Sequence, residues 1–272
     1  MISVPVAVNT PLFQWQLDLF WFNHLNVYGN EAYQKALAII IKRNHSSSPT
    51  INQFPWHQDI PNQLCESFFD YNLGIKEDGI LLPLNIQVGL IQTISRFKDD
   101  DVIELLDCDM FHLKKHPNIA VGKNELIVSD IYEKWHLKSL SGNKRIIGNY
   151  TDNKTNYYNG GFVPIVGRAE TFKKILLDWI WFHKDITKKE VDTNIRWWAG
   201  MYALQAACEY NSVKMKSMNI LYVPGINELE RSHYIVHYSV DTLFDKKRFP
   251  NIDVSKFKDN IYYDKIKSWL AC

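Results

Sequence analysis

The stretch Val102-Ile103-Glu104-Leu105-Leu106-Asp107-Cys108-Asp109-Met110 decides the fold. Its apolar residues form a run of strand length, which reads as a buried strand. Two carboxylates at the end of such a strand repel one another and lose hydration. A divalent cation removes that conflict, and Asp-x-Asp at a strand end suits an ion that also holds a diphosphate. The plainer reading is a strand that runs into an acidic turn.

Working outward, strands alternate with helices. Residues 4–8 are β-rich and lead into Asn9-Thr10-Pro11, a strand end, an N-cap and a proline at the first helical position. A helix is expected from 12 to about 24, with Phe13, Leu17, Phe20 and His24 on one side, then a strand over 36–41 stopped by Lys42-Arg43-Asn44. Residues 44–80, with Ser46-Ser-Ser-Pro49 and further Asn, Pro and Gly, read as loops with short helices. A helix over 84–97 precedes the aspartate strand, 102–106. Beyond it, strands are expected at 125–129, 162–166, 220–223 and 234–238, helices at about 170–183 and 193–209, and a turn-rich stretch at 138–160. This order predicts an α/β fold with a largely parallel, helix-covered sheet, whose ligand sites lie beyond the strand C-termini. One domain over 1–272 is expected, with a charged, aromatic tail from Asp241 packing on or near the site.

Composition excludes several classes. Thirty-one basic against thirty acidic residues leave no global field for a polyanion. Cys65, Cys108, Cys208 and Cys272 are scattered without C-x-x-C, which fits reduced thiols better than disulfides or a zinc site. The apolar start is only eight residues long, short of the roughly 20 of a membrane span, so a cytoplasmic protein is expected.

Remote segments then fall into order around the aspartates. They are Pro11-Leu-Phe-Gln-Trp15-Gln16, Asn159-Gly160-Gly161-Phe162, Arg196-Trp-Trp-Ala-Gly-Met201-Tyr202 and Ile235-Val-His237-Tyr238. Over roughly residues 4–240 this pattern resembles the plant hydroxyproline O-arabinosyltransferases and peptidyl-serine O-galactosyltransferases, with the Trp-Gln and His-Tyr segments the more specific pieces. Two places differ from that pattern: Ile86-Gln87 after Asn85, and Gly200 before Met201-Tyr202.

The resemblance implies a GT-A (Rossmann-like) fold and a retaining glycosyltransferase. It would use Mn²⁺ or Mg²⁺ and a UDP-sugar, with arabinose favoured over galactose or glucose because Val236-His237-Tyr238-Ser239 looks like the arabinosyl version of the motif. It implies direct metal ligation by Asp109, a supporting role for Asp107 and a third ligand in His237. A histidine on an apolar strand is otherwise a core residue satisfied by backbone. The resemblance brings Trp15 and Gln16 to the nucleotide side, where core packing is the competing reading for Trp15. Asn159, Gly160 and Gly161 would give backbone close approach to sugar or acceptor; otherwise they are a tight turn. Asp130, at a strand end, Asp192 and Arg196 are candidates to reach the sugar, acceptor or diphosphate, or else are solvated. Asp130 and Asp192 are also the carboxylates available for a double displacement, whereas a front-face mechanism needs none.

The acceptor is a hydroxyl on a macromolecule, either modified DNA or protein. The tail sets Lys246, Lys247, Arg248, Lys256, Lys258, Lys265 and Lys267 among Phe249, Phe257, Tyr262 and Tyr263. That mixture suits phosphate contact and base stacking on a hydroxymethylated pyrimidine, or is a solvated terminal helix. Protein serine or hydroxyproline is the alternative acceptor. A nucleotidyltransferase also uses Asp-x-Asp, but phosphotransferases usually bring a phosphate loop such as G-x-x-x-x-G-K-[ST], which is absent here. A noncatalytic binding module explains the aromatics but not the strand-end carboxylates.

Overall fold

A computed structural model describes residues 1–42, 59–67, 84–130, 146–150, 163–192, 195–196, 198, 199–238, 241–245, 249 and 251–272. The elements used below are β1 (Ile2–Val8), α1 (Pro11–Tyr28), β2 (Ala38–Ile41), β3 (Asn62–Cys65), α2 (Asn85–Thr93), β4 (Val102–Asp107), β5 (Met110–His112), β6 (Glu125–Ser129), β7 (Ile165–Arg168), α3 (Ala169–Lys189), α4 (Ala199–Tyr210), β8 (Lys214–Met218), β9 (Leu221–Tyr222), β10 (Ile235–His237) and α5 (Ile261–Leu270).

Seven strands form one sheet in the order β3-β2-β1-β4-β7-β6-β8. Only β7 runs against the others, since it is antiparallel to both β4 and β6 while the remaining pairings are parallel. The central strands are apolar except for Ser3 in β1 and Glu104 and the terminal Asp107 in β4, as burial on both faces favours: Ala38, Ile39, Ile40 and Ile41 are all buried, and so are Ile103, Leu105 and Leu106. Right-handed crossovers then place α1, after β1, and α2, after β3, on opposite faces, because the chain steps from β1 toward β2 but from β3 back toward β4. Helix α2 lies so close to β2 that a Cβ on Gly89 would come within 2.6 Å of Ile39 Cγ2. Helices α3 and α4 extend that layer through the small residues Ala199, Ala203, Ala206 and Ala207, and Trp179 Nε1 donates to Gly200 O at 2.8 Å.

The other face carries α1, which is buried on nearly every side, as expected of a helix enclosed between layers. Beside it lies a second sheet in the order β5-β10-β9. Helix α5 closes this layer: Trp269 Nε1 donates to Asp18 Oδ2 at 2.8 Å, and the hydroxyls of Tyr262 and Tyr263 both donate to Asp241. Among the described residues no helix is long and apolar enough to cross a membrane.

Several elements differ from the expected bounds. The ladder of β2 starts at Ala38, since Ala36 makes only an isolated bridge to Ser3. The strand expected at 162–166 is β7, Ile165–Arg168; Pro164 has no N–H to give a ladder and precedes it. Helix α3 runs on to Lys189, and α4 begins at Ala199.

Candidate active site

The aspartates lie where the strand reading expects them. Asp107 is the last residue of β4, opposite Val6 of β1, so it shares the sheet edge at which β1 hands over to α1. Cys108 and Asp109 form the turn, and β5 carries the chain away antiparallel to β10. That register sets Met110 opposite His237, and Tyr238 N donates to Asp109 O at 3.3 Å. The side chains follow: His237 Nε2 is 3.1 Å from Asp109 Oδ1, and ligand atoms of Asp107, Asp109 and His237 all lie within 4.8 Å of one another. Asp109 and His237 are 5% and 8% exposed, while Asp107 is half-buried.

Around the trio the surroundings are polar but tightly packed. The Cys108 thiol donates to Gln16 Oε1 at 3.1 Å. Gln16 Nε2 and Tyr238 Oη are buried and find no partner among the described residues. Burial, together with the nearby charge of Asp109, pushes the Tyr238 phenol well above its usual range, so it remains a neutral donor. Two carboxylates and one imidazole form an oxygen and nitrogen set that Mn²⁺ or Mg²⁺ accepts, and the two buried donors beside the turn fit anionic oxygens arriving with such an ion.

The other expected site residues are scattered more widely. Trp15 is enclosed by protein: its ring stacks on Phe249 at 4.6 Å and on Trp269 at 5.9 Å, with Phe244 edge-on at 5.8 Å and Tyr238 at 6.2 Å. Asp130 follows β6, and its N–H donates to Met218 O at 3.2 Å. Strand β6 runs parallel to β4 and two positions away, so Asp130 shares the edge with Asp107 at roughly 10 Å. Asp192 is exposed; its Oδ1 accepts from Ile195 N at 3.4 Å, while Arg196 N donates to the Asp192 carbonyl at 2.9 Å. Asn159, Gly160 and Gly161 lie outside the described residues.

The tail requires a correction. Phe257, Tyr262 and Tyr263 are buried and Phe249 is stacked on Trp15, so the aromatics read as stacking platforms for bases are core residues of the α1–α5 layer. Their spacing in α5, Tyr262, Tyr263, Ile266 and Trp269, is that of a helix face turned inward.

Sequence reasoning overlooked the roles of Glu104 and His112, and used Tyr238 only as part of the His-Tyr motif. A signal was present for the first: a charged residue in the middle of an otherwise apolar strand is buried unless the strand lies at an edge, and a buried carboxylate demands partners.

A scan against protein-family models finds no match, and a comparison with curated proteins finds none either. Solved structures do match. The WbbM bifunctional glycosyltransferase aligns with a TM-score of 0.58 at 10% identity, over 99% of this chain and 50% of that one. The galactosyltransferase LgtC, solved with donor and acceptor sugar analogues, gives 0.56 at 12% identity over 97% and 100%. Mouse xyloside xylosyltransferase 1 gives 0.50 at 8% identity over 89% and 98%. The chain thus spans about half the length of WbbM and the whole of LgtC. These likenesses establish the fold, which is the GT-A architecture: a mostly parallel sheet flanked by helices, with Asp-x-Asp at a strand end.

Proposed function

We propose that the protein is a metal-dependent glycosyltransferase that moves one sugar from a UDP-sugar to a hydroxyl of a macromolecule. The observation that carries this reading is the convergence of Asp107, Asp109 and His237 at the C-terminal sheet edge of a GT-A fold. Structures with that fold include a galactosyltransferase and a xylosyltransferase.

Asp109 and His237 would hold Mn²⁺ or Mg²⁺ directly, with Asp107 completing the set or meeting the donor's ribose. Such an ion, when bound, supplies Lewis-acid stabilisation of the charge that grows on the leaving diphosphate. The residues themselves have three tasks. Asp107 and Asp109 concentrate negative charge at one point; at an effective dielectric of about 20, unit charges ~4 Å apart interact by about 4 kcal/mol. His237 would offer a ring-nitrogen lone pair, and its Nε2 lies 3.1 Å from Asp109 Oδ1, so the two ligand atoms could share one ion. Tyr238, held neutral, and Gln16 offer donors to oxygens arriving beside Cys108. Asp130, along the same edge, is the carboxylate best supported for contact with the donor sugar or the acceptor.

Retention of anomeric configuration and an arabinosyl donor rest on the resemblance to the plant arabinosyl- and galactosyltransferases. For the acceptor we favour a protein or glycan hydroxyl over modified DNA, because the tail's aromatics are buried and leave base stacking without a surface. A panel of UDP-arabinose, UDP-galactose and UDP-glucose, each with Mn²⁺ or EDTA, tests the reading. UDP released only with Mn²⁺ supports it. Release of the sugar 1-phosphate, with UMP transferred, identifies a nucleotidyltransferase, and no release with any donor overturns the proposal. Proton NMR of the product's anomeric centre decides retention against inversion.

A further inference from the structure

We propose that Glu104 is a positioning residue: its buried carboxylate staples the small sheet to the large one and thereby sets how Asp107, Asp109 and His237 meet. This rests on the reading of that trio as a cation site.

Glu104 is 0% exposed in the middle of β4. Its Oε1 accepts from Tyr234 Oη at 2.8 Å. Its Oε2 accepts from Ser3 Oγ at 2.9 Å and lies 2.7 Å from His112 Nε2. These donors come from β1, from β5 and from the residue that leads into β10. The small sheet shares no ladder with the large one among the described strands. The carboxylate is therefore a direct polar tie between them. The spacing is regular: Glu104 precedes Asp107 by three residues, His112 follows Asp109 by three, and Tyr234 precedes His237 by three. Each chain segment entering the trio thus carries one member of the network about 10 Å from its candidate ligand.

Energetics point the same way. Full burial would raise a carboxylate, yet Glu104 is held below its usual range because His112 and the hydrogen bonds from His112, Tyr234 and Ser3 outweigh that effect. Behind His112, His24 Nδ1 lies 3.4 Å from His112 Nδ1, and burial followed by the charge of His112 pushes His24 down to about 2, so it stays neutral. A buried charged network is often replaceable by apolar residues without loss of stability. Geometry is what this one secures, since Asp107 belongs to the large sheet and His237 to the small one.

The test is Mn²⁺ affinity, by electron paramagnetic resonance on the full chain, measured beside the thermal midpoint. Tyr234→Phe removes one donor at almost constant shape, and Glu104→Gln removes the charge. Each should weaken Mn²⁺ binding about tenfold or more, the size typical of groups supporting a metal's ligands. Turnover of the proposed UDP-sugar transfer should return near wild type at saturating Mn²⁺. Phe172→Leu, in α3 and away from the trio, serves as a control for lowered stability and should keep wild-type affinity. Unchanged affinity in Tyr234→Phe overturns the staple even if Glu104→Gln fails to fold, and so does an equal loss in the control. Asp109→Asn separates the two readings: if it leaves Mn²⁺ binding intact, the cation site itself is wrong and the staple falls with it.

Discussion

The two faces of the large sheet bury different chemistry. Beneath α2, α3 and α4 the interior is mostly apolar, built on Phe172, Ile175, Leu176, Trp179, Ala203 and Leu204; among the described residues its buried polar groups include no carboxylate, only residues such as Asn85, Thr171, Gln205 and the pair Gln87 and His183 at 3.1 Å. Beneath α1, the small sheet and α5 lie Glu104, Asp109, His112, His24, Gln16, Asp18 and Asp241, all buried. Apolar burial is favourable and undirected, so the first face supplies stability and tolerates shape-conserving change. Polar burial is costly unless each group is paired, so the second face fixes geometry. The candidate site is attached to the second.

Four changes test that division, from the largest effect to the smallest. Asp109→Ala on the polar face should lower sugar transfer by at least about 10⁴-fold, roughly 5.5 kcal/mol of barrier, with the circular dichroism spectrum intact. The fold should survive because the change also removes a carboxylate that repels Asp107. Near-normal turnover by this variant, with EDTA present, would separate the site from any metal. On the apolar face, Trp179→Ala should cost about 3–4 kcal/mol in urea unfolding through the cavity it leaves. Its turnover per folded molecule should stay within about twofold, and a selective loss of turnover would show that the faces are not distinct.

Both faces hold a histidine that folding keeps neutral, and acid should reveal them together. Burial, and for His24 also the charge of His112, depresses His24 to about 2, while burial depresses His183 to about 3. Below about 6.5 the unfolded chain takes up these protons and the folded chain does not, so stability falls as pH falls. Each histidine should remove about 2 kcal/mol between pH 6.5 and pH 5, a window above the titration of Glu104, whose pull is lost only below its ordinary carboxylate range. Urea titrations at pH 7.5 and pH 5 check this, and His183→Gln should reduce the loss by about 2 kcal/mol. A pH-independent midpoint would contradict the burial of both. The smallest effect is expected from Trp269→Phe, which removes the donor to Asp18 and should cost about 1–2 kcal/mol. Faster hydrogen exchange in residues 261–270, with the α3 layer unchanged, would place α5 on the polar face alone.

The contrast also governs what the sequence disclosed. Apolar strands and strand-end carboxylates are local signals, so β4, β6 at Glu125–Ser129 and the parallel architecture were legible. Strand β3 falls in a polar stretch at a sheet edge, and β8, Lys214-Met-Lys-Ser-Met218, alternates with lysine; neither carries an apolar run. Strand β5 is three residues long and reads as part of the aspartate motif until β10 pairs with it. Asp107 and Asp109 stand out in the sequence, whereas His237 meets them through a pairing more than 120 residues away in the chain, which only the resemblance supplied. The tail misled because basic and aromatic residues mix in it, and composition does not show that Tyr262, Tyr263 and Trp269 face inward. Glu104 was visible but unweighed.

His237 is the point at which the two sheets meet in one site, so it gives the most direct test. Mn²⁺ is titrated into the wild-type chain and into His237→Ala with UDP present, and the bound ion is followed by electron paramagnetic resonance. The account predicts one ion per wild-type chain and an affinity at least about tenfold weaker in the variant; equal binding by the two proteins, or no bound ion in either, would contradict it.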